Sequence, residues 1–261
     1  MTSTALSLAV PVTVAADYAG LCELVAERIA TLVRSKPDAV LGLATGSTPL
    51  GVYELLIRQH RQDGLDFSRV TCFNLDEYYP IDAPSSHSYH HFMQENLFRR
   101  INCPRWFVPD GRLRCAAEIA QGCRDYEAHI VSAGGIDLQL LGIGRSGHIG
   151  FNEPGSPPDS RTRLVTLHPL TREDAAASFG SLENVPHQAV SMGIGTILAA
   201  REIVMMASGA AKAEIVRSAW LGDATERIPA SWVRTHPNAR LFLDESAAIF
   251  LLKERSLAPL Q

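Results

Sequence analysis

The sequence predicts an α/β protein with a mostly parallel sheet, built as a single domain over residues 1–261. Short apolar runs of strand length alternate with segments of helical periodicity along the whole chain, and no long linker or internal repeat interrupts the alternation. Hydrophobic residues make up 46% of the sequence and charged residues 20%, which is ordinary for a globular protein with a sizeable core.

Composition and charge argue against several classes of partner and location. The sequence has 28 acidic residues and 24 Lys and Arg, and it contains no basic patch. We therefore expect neither nucleic acid nor a membrane as partner. Residues 1–14 lack the form of a secretory signal, and no uncharged apolar run reaches membrane-spanning length. Five cysteines without metal-ligand spacing indicate free thiols in a reducing compartment. We therefore expect a cytoplasmic protein.

The first strand–loop–helix unit contains a candidate anion site. A helix over 17–34 precedes an apolar strand over 39–44. A loop of small polar residues then leads into a second helix with a proline near its first turn; the loop residues are Thr45, Gly46, Ser47 and Thr48. Free backbone N–H groups and the positive end of the helix dipole favour an anion such as phosphate there. Alternatively, Ser47 or Thr48 only caps the helix.

The next strand, over 70–75, ends in two neighbouring carboxylates, Asp76 and Glu77. Neighbouring side chains of an extended chain point apart, so only one of the two can face a site, and that one is a candidate base. Acidic residues at such places also commonly sit in loops or cap helices. Three histidines follow at positions 87, 90 and 91. An apolar helical pattern begins there without acidic or cysteine ligands nearby, which favours a helix start and no bound metal.

A helix over 114–133 and a strand over 136–141 lead into a glycine-rich loop that carries His148 and Glu153. In open parallel sheets, ligands bind where the carboxyl ends of strands meet such loops. An imidazole and a carboxylate there are candidates for proton transfer near neutral pH. The alternative interpretation is a tight glycine turn with a solvated histidine.

The rest of the chain continues the strand–helix alternation, with strands expected over 189–192, 202–207 and 240–243. Before them, residues 171–179 are polar and alanine-rich with little to bury, which predicts a mobile lid within about 160–186. Lys212 follows another strand–loop junction. An ammonium group beside an anion-binding loop suits a phosphate, although a lone exposed lysine is more common.

Six motifs in this order resemble those of glucosamine-6-phosphate deaminases, over about residues 41–244. The motifs are Thr45–Pro49, Phe73–Tyr78, Ser88–Met93, Gly147–His148, Phe151–Pro154 and Ser160–Arg163. The resemblance implies a Rossmann-like three-layer α/β sandwich that needs no metal or organic cofactor. It also implies an aldose–ketose isomerisation coupled to deamination, in which glucosamine 6-phosphate and water give fructose 6-phosphate and ammonium.

The resemblance also implies roles for individual residues. Asp76 would take the C2 proton of the sugar and return it at C1, and His148, oriented by Glu153, would assist ring opening. Thr45, Gly46, Ser47, Thr48 and Lys212 would hold the phosphate. A carboxylate and an imidazole are chemically suited to these two proton transfers.

Three departures from the family pattern affect these expectations. Ser146 replaces an aspartate of the family, and because serine cannot stabilise an imidazolium by charge, we expect slower ring opening. The stretch 174–179 lacks the family's phosphate-clamping arginine, and Arg172 matches a different family arginine. Allosteric members use an arginine and a lysine where Arg163 and Val165 stand here, so we expect no activation by N-acetylglucosamine 6-phosphate.

Several alternatives stay open at this point. The substrate could be another amino-sugar phosphate, such as galactosamine 6-phosphate. The chain could also be a hydrolase like the 6-phosphogluconolactonases, which usually have arginine where Tyr78 stands and lack the Asn-Glu-Pro sequence. A non-catalytic sugar-phosphate-binding protein is the third alternative. The sequence also leaves open whether the protein forms a homo-oligomer. Arg145 or Arg172 could replace the missing family aspartate and arginine, although we expect Arg145 to be exposed.

Overall fold

A computed structural model describes residues 10–257 of the chain; residues 1–9 of the N-terminal segment discussed above lie outside the described residues. Its centre is a parallel sheet of seven strands. In spatial order the strands are β1 (Val12–Ala15), β10 (Ala239–Asp244), β9 (Glu202–Ala207), β6 (Leu138–Leu141), β2 (Val40–Leu43), β3 (Thr71–Asn74) and β5 (Arg105–Phe107).

Helices cover both faces of this sheet. On one face lie α1 (Tyr18–Ser35), α2 (Leu50–Asp63) and α3 (Tyr89–Asn96); on the other lie α4 (Ala116–Ser132), α6 (Ile194–Leu198), α7 (Ala213–Leu221) and α8 (Glu245–Leu257). Successive strand residues point to opposite faces, so Leu140 packs in the core of the first layer and Leu141 in that of the second. The predicted three-layer α/β architecture is confirmed.

A second, antiparallel sheet of three strands lies beside the first and was not predicted. It consists of β4 (Asp76–Tyr79), β8 (Gln188–Ser191) and β7 (Arg163–Thr166), and α5 (Pro169–Phe179) follows its edge strand β7. The alternative in which Asp76 lies in a loop or caps a helix is not what the structure shows, because this residue starts a strand only two positions after β3 ends. The strand expected at 189–192 exists but is antiparallel and belongs to this second sheet.

Leu75 is the residue at which the chain passes from one sheet to the other. Its N–H donates to the Leu43 carbonyl of the large sheet, at 3.0 Å, and its carbonyl accepts from the N–H of Met192, just past β8, at 2.7 Å. Both backbone groups of one residue thus join the two sheets, which fixes the backbone immediately before Asp76. Short 3₁₀ helices at Phe98–Arg100, Ala210–Lys212 and Pro229–Thr235 complete the fold.

The sequence analysis did not predict strands β1 and β5, which are short and lie at the edges of the large sheet. Among the described residues, no helix is both long enough and apolar enough to cross a membrane.

Candidate active site

A cavity of about 610 Å³ opens at the carboxyl ends of four parallel strands. It is lined from the loop after β2, the first residue of β4, the glycine-rich loop after β6, the 3₁₀ helix after β9, and one side of α5. All predicted site residues except Ser146 and Glu153 line it; those that do are Thr45, Gly46, Ser47, Thr48, Asp76, His148 and Lys212. The position agrees with the general rule for ligand sites in open α/β sheets.

The loop after β2 presents unpaired donors at the start of α2. The backbone N–H groups of Gly46, Ser47 and Thr48 make no hydrogen bond to any other part of the described chain. Neither hydroxyl of Ser47 or Thr48 caps α2, whose N-cap is Pro49, so the capping alternative is not what the structure shows. Free donors at a helix N-terminus form an anion-binding site.

Tyr18, which sequence reasoning missed, holds this loop in place. Its hydroxyl donates to the Thr48 carbonyl at 3.0 Å and accepts from the N–H of Gly51 at 3.0 Å. The residue comes from α1, about thirty positions earlier in the chain, and an exposed tyrosine near a helix start carries no sequence signal for such a contact.

Asp76 and Glu77 diverge, as the sequence predicts, and only Asp76 faces the cavity. Glu77 accepts hydrogen bonds from the backbone N–H groups of Tyr78, Tyr89 and His90 at 2.8–2.9 Å, and thereby holds the first turn of α3. Burial nevertheless raises the pKa of Glu77 to about 7.

Asp76 is 4% exposed, and burial together with the charge of Glu77 raises its pKa well above the ordinary value of 3.8. Gly150 packs directly against this carboxylate. Its φ of +54° is left-handed, and a Cβ at this position would lie 3.2 Å from Oδ2 of Asp76. The glycine is therefore needed both for its backbone conformation and for the space beside Asp76.

His148 is oriented by three oxygens around its Nδ1 atom. They belong to Ser146 at 2.9 Å, Thr171 at 3.2 Å and Glu153 at 3.3 Å. The Ser146 hydroxyl also lies 3.2 Å from Glu153 Oε2, so it donates to the carboxylate and accepts from the ring. Nε2 makes no hydrogen bond within the described residues and remains free for a substrate. Thr171, on α5, was missed by the sequence analysis.

The glycine-rich loop brings this imidazole close to its own backbone. A Cβ on Gly144 would lie 2.1 Å from two ring atoms of His148, so no other residue fits at position 144. Burial alone would raise the pKa of Glu153, but the hydrogen bond and charge of His148, helped by Thr171 and the backbone N–H of His168, lower it instead. Glu153 is thus held ionised, beside the imidazole but outside the cavity lining.

Lys212 reaches the cavity from the turn after β9. Asp244, at the end of β10, fixes that turn by accepting from the Gly209 N–H at 2.9 Å and from the Ser208 hydroxyl. Burial lowers the pKa of Lys212. No hydrogen bond or ion pair within the described residues ends on its Nζ atom, which leaves the ammonium group available to an anion.

An aromatic wall closes the other side of the cavity. Tyr78, Tyr89, Phe151 and Phe179 lie with ring centroids 4.9–5.7 Å apart, and His87 stacks on Phe179 at 4.6 Å. The helix start expected at the histidines is confirmed, since Ser88 caps α3. In the part of the chain that the structure describes, no cluster of three or more His, Cys, Asp or Glu is arranged to hold a metal.

The arginines left open by the sequence lie in different places. Arg172 points away from the cavity and donates to the carbonyls of Leu182 and Val185. Arg163 donates to Asn152 at 2.9 Å and to Ser156 at 3.0 Å. Arg145 is exposed, as expected, and pairs with Asp174 on α5.

Comparison with known proteins assigns the family. The family model described as glucosamine-6-phosphate isomerases/6-phosphogluconolactonase matches residues 14–242. A glucosamine-6-phosphate deaminase of Bacillus velezensis is 48% identical over 233 residues, which is 88% of this chain and 95% of the relative. The deaminase of Clostridioides difficile is 45% identical over 239 residues, 91% of this chain and 95% of the relative.

Solved structures agree with this assignment. A monomeric glucosamine-6-phosphate deaminase superimposes with a TM-score of 0.88 at 43% identity, covering 92% of this chain and 99% of that one. A 6-phosphogluconolactonase from Trypanosoma cruzi has a TM-score of 0.76 at 20% identity, covering 94% and 98%, and so shares the fold alone. The chain belongs to the family of glucosamine-6-phosphate isomerases and 6-phosphogluconolactonases.

Proposed function

We propose that the protein is a glucosamine-6-phosphate deaminase, which converts glucosamine 6-phosphate and water into fructose 6-phosphate and ammonium. The observation that carries the proposal is the arrangement of one cavity. A buried carboxylate, Asp76, and an imidazole, His148, face the same space as an anion loop and the ammonium group of Lys212. The relatives of 45–48% identity are named for this reaction.

The phosphate of the sugar binds at one end of the cavity, to the free N–H groups and hydroxyls of residues 45–48 and to Lys212. Ring opening follows at His148, whose free Nε2 accepts the proton of the C1 hydroxyl and delivers a proton to the ring oxygen. Glu153 supports the transient imidazolium because its carboxylate lies 3.3 Å from Nδ1. The product of this step is the open-chain amino aldehyde.

Asp76 then acts on the open chain. Its carboxylate takes the proton from C2, which leaves an enolate with its charge on O1. The carboxylate returns the proton to C1 and a proton passes from the amino nitrogen to O1, which gives a ketimine at C2. Water adds to the ketimine carbon, and ammonia leaves and takes up a proton from water, so that the products are fructose 6-phosphate and ammonium. Burial supports this role, because a carboxylate with a raised pKa is a stronger base once it is ionised.

The proposal includes a lid over residues 160–186, with α5 at its centre. Asp174, Ala175, Ser178 and Phe179 of this helix line the cavity, whereas Thr171 and Phe179 are its only buried residues. Few buried contacts permit local opening, which a substrate needs to enter.

We further infer a cytoplasmic enzyme that acts on a small-molecule amino-sugar phosphate without a cofactor. The five cysteines support the compartment, since all are free thiols and only Cys115 is exposed. The homo-oligomer that the sequence leaves open stays a prediction, and the solved deaminase at 43% identity is monomeric.

Replacement of Asp76 tests the proposed base. Asp76→Asn keeps the shape of the side chain but cannot accept a proton, so we expect ammonium release from glucosamine 6-phosphate to fall by roughly 10²- to 10⁴-fold. Asp38→Asn is the matched control, since this carboxylate is exposed and lies outside the cavity lining. Coupled assays for ammonium and fructose 6-phosphate measure both variants. Near-normal activity of Asp76→Asn would contradict the role, and ammonium released only from galactosamine 6-phosphate would change the substrate.

Replacement of Ser146 tests the support of His148. Ser146→Asp places a second carboxylate beside Nδ1 and stabilises the imidazolium by charge, so we expect turnover to rise by roughly three- to tenfold. Ser146→Ala removes the hydroxyl without adding charge and should lower turnover. Steady-state kinetics at neutral pH distinguish the two. A decrease in both variants would show that the serine hydroxyl itself is required.

The burial of Asp76 predicts a pH-dependent stability. Because the folded state raises the pKa of Asp76, its ionisation destabilises the fold as pH rises above the ordinary value of 3.8. Asp76→Asn removes this cost, so the variant should gain more stability over wild type at pH 8 than at pH 4. Urea unfolding of both proteins at the two pH values measures the difference. An equal difference at both pH values would contradict the raised pKa.

A further inference from the structure

An ion pair joins the glycine-rich loop to the lid helix at the edge of the cavity. The Arg145 guanidinium meets Asp174 in a two-point contact, with Nε 3.0 Å from Oδ2 and the terminal nitrogen 2.8 Å from Oδ1. A second acid, Glu173, lies 3.9 Å from the same guanidinium. Asp174 lines the same cavity as Lys212 and the loop at residues 45–48. Its carboxylate therefore places a negative charge beside groups that suit an anion.

Lys212 lies within the electrostatic reach of both partners. The negative charge of Asp174 raises the pKa of Lys212 and the positive charge of Arg145 lowers it, although burial has the larger effect. Asp174 and Lys212 line the cavity, whereas Arg145 lies outside the lining and is joined to it through its ion pair with Asp174. The negative charge of Asp174 offsets part of the positive charge of both cations.

The Arg145–Asp174 pair is weak enough to be exchanged. Its side chains are 47% and 44% exposed, and an exposed ion pair contributes little net stability because water and salt screen it. A phosphate ester carries up to two negative charges and accepts two-point hydrogen bonds from a guanidinium, which makes it a stronger partner than one solvated carboxylate.

Helix α5 has no cation of its own that is available for this role. Arg172 is the only basic residue of α5, and its guanidinium is occupied by the carbonyls of Leu182 and Val185. Arg145 lies three positions before His148, in the same glycine-rich loop.

We propose that Arg145 is a phosphate-binding residue that is paired with Asp174, and that the phosphate of the substrate displaces Asp174 from it. This inference rests on the proposed function for the identity of the sugar phosphate. Asp174 then acts as a specificity-determining residue, because a ligand without phosphate cannot displace it. Arg145 stays attached to α5 until the phosphate arrives.

Three variants test the exchange: Arg145→Gln, Asp174→Asn and the double variant. KM for glucosamine 6-phosphate comes from ammonium release, and Kd for fructose 6-phosphate and for inorganic phosphate comes from calorimetry at low salt. We expect Arg145→Gln to raise all three constants about two- to fivefold and Asp174→Asn to lower them by a similar factor. The gain in affinity from Asp174→Asn should be smaller when Arg145 is also replaced. Arg145→Lys should give constants between those of wild type and Arg145→Gln.

An exposed ion pair elsewhere is the matched control. Arg217 contacts Glu214 at 2.7 Å on α7, outside the cavity lining. Arg217→Gln should leave KM and both Kd values unchanged. If wild type releases ammonium but KM and Kd are unchanged in the Arg145 and Asp174 variants, this inference alone would be overturned. Charge-dependent binding of fructose 6-phosphate without any ammonium release would overturn the proposed function alone. Absence of both binding and turnover would overturn both.

Discussion

The position of one buried carboxylate, that of Asp76, constrains the rest of the site. An ionised carboxylate is costly to remove from water, and this one lies at the junction of two sheets with an apolar and aromatic surrounding. Leu75 fixes the backbone before it through bonds to both sheets, and Gly150 leaves the space beside it. The fold thus imposes the burial that makes the group a stronger base.

The remaining groups divide the cavity into two ends with different chemistry. One end has unpaired backbone N–H groups and the ammonium group of Lys212, which suit an anion. The other end has the carboxylate of Asp76 and the imidazole of His148 beside Glu153. In the proposed function, the first end binds the phosphate and positions the sugar, while the carboxylate and imidazole of the second end transfer protons at C1 and C2. Helix α5 contacts both ends, through Asp174 and through Thr171.

Much of this arrangement could be predicted from the sequence, because loops at the carboxyl ends of parallel strands must converge. The loop at residues 45–48, Asp76, His148 and Lys212 were all placed in one site by that argument and by the family resemblance. The second sheet could not be found in this way. Residues 76–79 are acidic and aromatic and resemble a polar loop, and their strand pairing is with residues 188–191, more than a hundred positions away.

Contacts of long sequence separation were missed for the same reason. Tyr18, Asp244 and Thr171 each support a site residue from another element, and nothing in their own neighbourhood marks them. The pairing of Arg145 with Asp174 likewise depends on the packing of α5 against the glycine-rich loop. Local sequence patterns identify reactive and charged side chains, whereas the residues that orient these side chains are determined by tertiary structure.

The central claim of the proposed function is that the buried carboxylate of Asp76 moves one proton from C2 to C1 of the sugar. The most direct measurement follows glucosamine 6-phosphate labelled with deuterium at C2, converted in ordinary water and analysed by NMR at early turnover. Transfer by Asp76 predicts that deuterium appears in one of the two C1 positions of fructose 6-phosphate. Loss of all the deuterium to water, with none at C1, would contradict the account.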